Sequence, residues 1–449
     1  MSRAHAATTT TQGVLAHPEV RKLWAATLLG SLAVWIAQVA LIVAVLEHHS
    51  GSTLAWVLLA STAPALLVGF AGGAVADRHD PRRVARLAGL ARVGLLVAVG
   101  LGLVPSLAIG TIAYAAFLCL GRLSGPATIR LLYAALPTEQ RAAGNAALGT
   151  VSGITTVLGA AIGGLSVGAM GVVPAFIVAA AIQAAAAGVL WTLNPVPKAS
   201  RPVEDRPGFG QSIVEGFVAM RRFPLAASVI VVGIAWGLIG GGYDVLIGIY
   251  GTHLLRGGGG LAVGLLYVAD GVGVILGSYL AARLPARHQR GWYALAYGLQ
   301  GALWTVFALS HNLVQAIPAL LLMRVASGVI IALDTTLLLA TVPDRLHGRI
   351  YALHTTTYGA VMRASLAITG VLLLSVSPRI VTFGAGGASI VVGAIWWLAI
   401  GRTAPFRTGQ EPPKRRTSGD GGEGCPILTV PNPSGTCAPK CRTGRGNSR

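Results

Sequence analysis

Charged residues are scarce in this sequence. Asp, Glu, Lys and Arg make up 11% of 449 residues, against roughly a quarter in a soluble protein. Acids are scarcer still, 15 against 34 Lys and Arg, for a net charge of +19. The excess does not signal nucleic acid, because the arginines sit in short loops between apolar runs and in the C-terminal tail. Cysteine is nearly absent. Cys119 lies inside an apolar run, and Cys425, Cys437 and Cys441 are spaced C-x11-C-x3-C in the tail with no histidine nearby. That spacing fits no zinc pattern, so neither a metal site nor a disulfide framework is expected. There is no paired-histidine metal motif, no nucleophile elbow and no phosphate loop. Their absence argues against an enzyme, a cofactor and self-contained ATP-driven transport. The first 19 residues lack the apolar core of a cleavable signal and read as a cytoplasmic lead-in.

Apolar sequence is abundant. Hydrophobic residues make up 54% of the chain, and mean hydropathy is +0.68. Nearly uncharged runs long enough to cross a bilayer recur throughout. They predict twelve spans, at 22–46, 53–76, 84–104, 107–135, 142–170, 172–193, 223–250, 261–284, 292–309, 314–341, 350–375 and 380–400. The loops on one side hold nearly all the arginines, among them Arg82, Arg83, Arg141, Arg287 and Arg349, while the other has only Arg256 and Arg379. The positive-inside rule then places both termini in the cytoplasm, as an even span count requires. The domains predicted are a lead-in (1–19), a six-helix bundle (20–194), a linker with a short amphipathic helix (195–222), a second bundle (223–402) and a disordered tail (403–449). The halves repeat: Gly73 corresponds to Gly277, 204 residues later, and Leu136-Pro137 to Val342-Pro343, 206 residues later. Two landmarks at nearly equal offset indicate duplication of a six-helix unit.

This plan resembles the major facilitator superfamily over roughly residues 20–402. Gly73-Ala-Val-Ala-Asp77-Arg78-His-Asp80-Pro-Arg82-Arg83 is similar to the family's loop signature between its second and third helices. The resemblance implies an all-α membrane fold of twelve helices in two pseudo-symmetric bundles. It also implies a conformational latch in which Asp77 meets the eleventh helix's N-terminus and Arg78, Arg82 and Arg130 neutralise it. Leu136-Pro137-Thr-Glu-Gln-Arg141 and Val342-Pro-Asp-Arg-Leu-His-Gly348-Arg349 look like loops of the exporter branch that includes macrolide-efflux and enterobactin-export proteins. Gly159, Gly163 and Gly164 are similar to the drug exporters' antiporter motif, with Ala160 where that motif has proline.

Ionisable side chains within spans are expensive and face a cavity or a partner. The acids are Asp244, Asp270 and Asp334; the bases are Arg92, Arg122, Arg130, Arg324 and Arg363. Asp334 lies ten residues after Arg324, about 15 Å along one helix, so any pairing must cross between helices. Asp244, in Gly240-Gly-Gly-Tyr-Asp, suggests a bent helix lining a cavity and ranks first as proton carrier, followed by Asp334 and Asp270. Arg324 resembles the exporter motif R-x-x-Q-G with serine for glutamine, and Arg122 is its repeat-related counterpart. Either arginine is a candidate to bias a nearby acid in the proton step or to hold a fixed ion pair. Trp35, Gln38, Gln300 and Trp304 are candidate cavity residues, with packing as their alternative role.

The reading that follows is a monomeric, proton-coupled exporter of a small amphiphile (drug, antibiotic or siderophore-like) in the cell membrane, working by alternating access. Its partners are the cargo, protons and lipid. Proton-coupled uptake, uniport and a non-transporting receptor are the alternatives.

Overall fold

The computed structural model describes residues 11–194 and 223–402. The side chains of 11–12, 70–78 and 344–345 lie outside the described residues, as do the linker helix and the tail cysteines. Twelve helical spans follow one another. The first half holds α1 Pro18–His48, α2 Gly51–Arg78, α3 Pro81–Gly102, α4 Leu107–Ala135, α5 Arg141–Met170 and α6 Val172–Trp191. The second holds α7 Pro224–Leu254, α8 Gly260–Ala281, α9 Gln289–Ala308, α10 Leu313–Leu339, α11 Asp344–Leu372 and α12 Pro378–Trp396. The only bridge among the described residues is an isolated one between Arg256 and Asn312. A short helix, Thr11–Leu15, precedes α1 where only a lead-in was expected. It is held by Val14, which is buried with Val20, Leu23 and Leu132.

Proline and short polar side chains set the helix starts. Proline occupies the first turn of α1, α3, α7 and α12, where its missing N–H costs nothing. Asp80, Asn312 and Ser377 accept a hydrogen bond from the first-turn N–H groups of α3, α10 and α12. The α7 helix breaks where the sequence has three glycines: helix Pro224–Gly240 ends and helix Tyr243–Ile249 begins. At Gly241 and Gly242 an added Cβ would collide with Ser365 and Thr369. The break therefore lets the α7 backbone lie directly against α11.

Ten of the described helices are long and apolar enough to cross a membrane, and α9 and α11 are not among them. The reason is their polar content. Gln289, Arg290 and Gln300 interrupt α9, and Arg349, His354, Thr355 and Arg363 interrupt α11. Both still present apolar side chains outward, Leu295, Leu299 and Val306 on α9 and Ile368, Val371 and Leu372 on α11.

The distribution of buried apolar residues gives the conformation. Let the near end be the one where α1 starts and α12 finishes, and the far end its opposite. Toward the far end one continuous core joins the halves, running through Ile36 and Leu46 of α1, Leu54 of α2, Ile247 of α7 and Val263 of α8. Toward the near end it splits in two. One cluster draws only on residues before 194 and the other only on residues after 222. Glycine makes the far-end closure possible. A Cβ built on Gly164 of α5 would stand 2.6 Å from the Gly264 Cα of α8, so the two backbones touch. Ser52 of α2 donates to the Gly370 carbonyl of α11 at 2.7 Å, and Gly248 of α7 fits against Ile42 and Leu46. Among the described residues the halves share one sealed core at the far end and are parted into separate cores at the near end.

Candidate functional site

A cavity of about 440 Å³ opens within the second half. Its walls come from α7, α9, α10, α11 and α12, with Trp236, Tyr243, Trp304 and Tyr358 supplying aromatic surface. Trp236 stacks on Tyr358 with ring centroids 5.5 Å apart, and Tyr243 lies 5.5 Å from Trp304. Rings locked against one another present flat apolar faces at low entropic cost. Gln300 and Trp304 line this cavity. Gln300 is also tied down, since its amide oxygen accepts from Ser327 at 2.9 Å.

Besides its tyrosines, three ionisable side chains stand in the wall, Arg324, Asp334 and His354. Asp334 of α10 accepts from the Tyr293 hydroxyl at 2.7 Å on one oxygen and meets His354 Nε2 at 2.7 Å on the other. Asp334 and His354 both line the cavity. His354 is wedged against α7, where a Cβ on Gly233 would come within 2.7 Å of its Cε1. The contact sets a carboxyl and an imidazole within hydrogen-bond distance of one another in the cavity wall. Arg324 also lines the cavity. It forms an ion pair with Asp270 of α8 and lies over the Tyr243 ring at 4.9 Å. The pairing crosses helices, as the ten-residue spacing of Arg324 and Asp334 requires.

Asp244 lies elsewhere, at the junction of the halves. One oxygen accepts from the Tyr267 hydroxyl at 2.9 Å, and the other from the Gln38 amide of α1 at 3.3 Å. Its hydrogen-bonding partners are thus neutral. Gln38 and Asp244 are 206 residues apart, the same offset that relates Leu136 to Val342. The two are repeat-related positions meeting on the pseudo-twofold axis. Trp35 belongs to this junction too, edge-on to Tyr267 at 5.7 Å and covering Gly159. Neither Trp35 nor Gln38 is among the lining residues of the second-half cavity.

The glycines of α5 divide their contacts. Gly159 and Gly163 pack on α1 at Trp35 and Ile36, and Gly164 packs on Gly264. Of the latch, the side chains of Gly73, Asp77 and Arg78 lie outside the described residues. Arg82 pairs with Asp80, Nη2 to carboxylate oxygen at 3.4 Å, and its backbone N–H donates to the same side chain at 2.9 Å. Partial burial opposes ionisation of Asp80. The Arg82 backbone N–H, then the charges of Arg82 and Arg83, outweigh it and hold the carboxyl below the usual range. Arg130 sits near the near end of α4, on an exposed face.

A second cavity, of about 570 Å³, opens within the first half between α1, α3, α4 and α6. These helices are the repeat counterparts of α7, α9, α10 and α12. Arg92, Arg122 and Gln183 line it, and none of its lining residues is acidic. Among the described residues no cluster of three or more His, Cys, Asp or Glu is placed to hold a metal.

The sequence reading missed His354, Tyr293, Tyr267 and Gly233. Only Gly233 left a trace, as a glycine in an otherwise apolar stretch.

Comparison with known proteins agrees with this architecture. No curated protein matches the chain. Among solved structures, a bacterial homolog of the human lysosomal transporter Spinster, inward-facing and unoccupied, superposes with a TM-score of 0.65 at 15% identity. The match covers 85% of this chain and 97% of that one. A peptide transporter, POT, in complex with alafosfalin matches with a TM-score of 0.65 at 15% identity, over 88% and 97% of the two chains. The nucleoside transporter NupG gives 0.63 at 12% identity, over 85% and 98%. At such identities the likeness speaks for the fold alone. Residues 23–364 match the sequence profile of the Major Facilitator Superfamily, and the chain is a multi-pass membrane transporter belonging to that family.

Proposed function

We propose that the protein exports a small amphiphilic molecule across the cell membrane in exchange for protons, by alternating access. One observation carries this reading: the Asp334 carboxyl and the His354 imidazole meet in the wall of an aromatic-lined cavity of the second half. Cargo and proton then compete for one place. The cargo's apolar body stacks among Trp236, Tyr243, Trp304 and Tyr358, while the proton resides on Asp334 or His354. The order of candidates thus changes from that of the sequence: Asp334 first, Asp244 second as a sensor between the halves, and Asp270 last because Arg324 already neutralises it. The arginine-rich near end is assigned to the cytoplasm, so the parted form is the one that loads cargo for export. Gly73, Asp77, Arg78, Arg82 and Arg130 remain the proposed latch of the opposite state. The domain boundaries given above, cytoplasmic termini and a monomeric working unit belong to the same proposal.

The test is proton release in weakly buffered detergent solution as candidate amphiphiles are added. Wild type is compared with Asp334→Asn, Asp244→Asn and Asp270→Asn. Release in wild type that disappears in Asp334→Asn is expected. A ligand that binds without releasing protons rules out antiport. Uptake by proton symport is the second reading, favoured by one observation: α5 runs unbroken through Ala160, where the exporters' motif has proline.

A further inference from the structure

Among the described residues, two guanidinium groups of the first half, those of Arg92 and Arg122, form no ion pair with an acid. Arg92 of α3 reaches into the cavity between α1, α3, α4 and α6, its Cζ 4.4 Å from the centre of the Phe117 ring. Glycines make room for it: a Cβ on Gly121 would stand 3.6 Å from that Cζ, and one on Gly30 would stand 3.8 Å from Nη1. Its Nε is shut off from solvent and has no hydrogen-bond partner. Gln183 Oε1, 3.7 Å from the same built Cβ on Gly30, is also buried without a partner. Arg122 of α4 lines the cavity as well and forms no ion pair among the described residues. Arg363 of α11 lies within Coulombic reach of Arg122 and adds to the positive field.

An unanswered guanidinium inside a membrane bundle is costly, and such groups mark the path of a ligand. Two forked donors in a cavity without carboxylates match the flat, multidentate geometry of an oxyanion. We propose that the first-half cavity is an oxyanion site. It takes the carboxylate, phosphate or sulfonate group of an amphiphilic cargo between Arg92 and Arg122, before the apolar body passes to the aromatic cavity of the second half. The route rests on the export reading above; the binding itself does not.

The experiment uses full-length protein in phosphatidylcholine nanodiscs, with octyl phosphate as probe and octyl glucoside and octyltrimethylammonium as controls with the same tail. Calorimetry should show octyl phosphate binding at least about tenfold tighter than either control, as charge-assisted hydrogen bonds dictate. Arg92→Gln and Arg122→Gln should each remove that preference, and Arg92→Lys should keep part of it. Because Arg122 is exposed, its variant guards against a result caused by misfolding, with a monodisperse profile as control. Equal binding by wild type and both glutamine variants overturns the site. An anionic lipid headgroup offers the same chemistry, so the titration is repeated in discs containing phosphatidylglycerol. Unchanged affinity supports a cargo site, whereas loss of binding together with phosphatidylglycerol retained in native mass spectra overturns it in favour of a lipid. Proton release is read in the same samples. Arginine-dependent binding without proton release leaves the oxyanion site standing and removes antiport. Proton release that survives both arginine variants, with binding equal to that of wild type, does the reverse.

Discussion

Gly164→Ala should open the far end. The added Cβ would lie 2.6 Å from the Gly264 Cα, 3.0 Å from the Gly260 carbonyl oxygen and 3.1 Å from the Gly264 amide nitrogen. All three are backbone atoms that cannot rotate away. Carbon atoms rest at about 3.5–4.0 Å, so α5 and α8 must separate by roughly 1 Å. Overpacking of this kind costs about 1–3 kcal/mol. The cost falls only on the state in which the helices touch, so the far-open population rises about 5- to 150-fold, at tenfold per 1.4 kcal/mol. The reporter is Leu46→Cys, a position 2% exposed in the sealed junction, in a background where Cys119, Cys425, Cys437 and Cys441 are serine. With opening fast relative to labelling, the rate of reaction with a membrane-impermeant maleimide follows the far-open population. Gly164→Ala should raise that rate by at least fivefold while the protein stays monodisperse. An unchanged rate would falsify the backbone contact as the seal.

Other perturbations test other parts of the molecule. Ser52→Ala removes the hydroxyl that donates to the Gly370 carbonyl; losing that bond, about 1 kcal/mol, should raise Leu46→Cys labelling about fivefold. Asp334→Asn leaves His354 without its carboxylate and should lower the melting temperature. The double variant Asp334→Asn with His354→Gln should recover part of the loss, because a broken buried pair costs more than an absent one. Gly171 joins α5 to α6 at φ 86° with nothing near its missing Cβ, so Gly171→Ala should cost roughly 1–3 kcal/mol of backbone strain, read by denaturation. Asp80→Ala deletes the N-cap of α3 and should cost about 0.5–2 kcal/mol. Because the folded carboxyl is held below its usual range, the ionised cap's contribution is present above the unfolded pKa of about 3.9. It is lost as pH falls through the folded value. The difference between wild type and Asp80→Ala should therefore shrink below about pH 4 and stay constant near neutrality.

Spans were legible because bilayer thickness writes itself into run length: α4 begins at Leu107 and ends at Ala135 as expected, and most other ends differ by a few residues. The α7 break was legible because three glycines stand beside an acid. What was not legible was partnership. Asp334 meets Tyr293 and His354, 41 residues before and 20 residues after it. No periodicity on one helix can announce a neighbour on another. Asp244 drew attention as a cavity acid, yet its glycines Gly241 and Gly242 serve the α7–α11 contact. Local composition marks where a helix bends, and packing decides which side the bend serves. The same limit hid the roles of Trp35 and Gln38, whose polar and aromatic character suits a helix junction as well as a cavity.

The contact between Gln38 and Asp244 has a consequence for how such a chain can diverge. Away from the axis, a change in one half leaves its copy untouched and distant. On the axis, each residue is its own copy's neighbour. An assembly of two identical halves would place either two amides or two carboxylates there. At the 3.3 Å spacing seen now, two ionised carboxylates would repel by about 5 kcal/mol even at an effective dielectric of 20. Joining the halves in one polypeptide lifts that restriction, because each copy of the position is then encoded separately. A lone carboxyl facing an amide at the centre of the molecule is something a duplicated chain can hold and a symmetric dimer of half-chains, which must place the same residue twice, cannot.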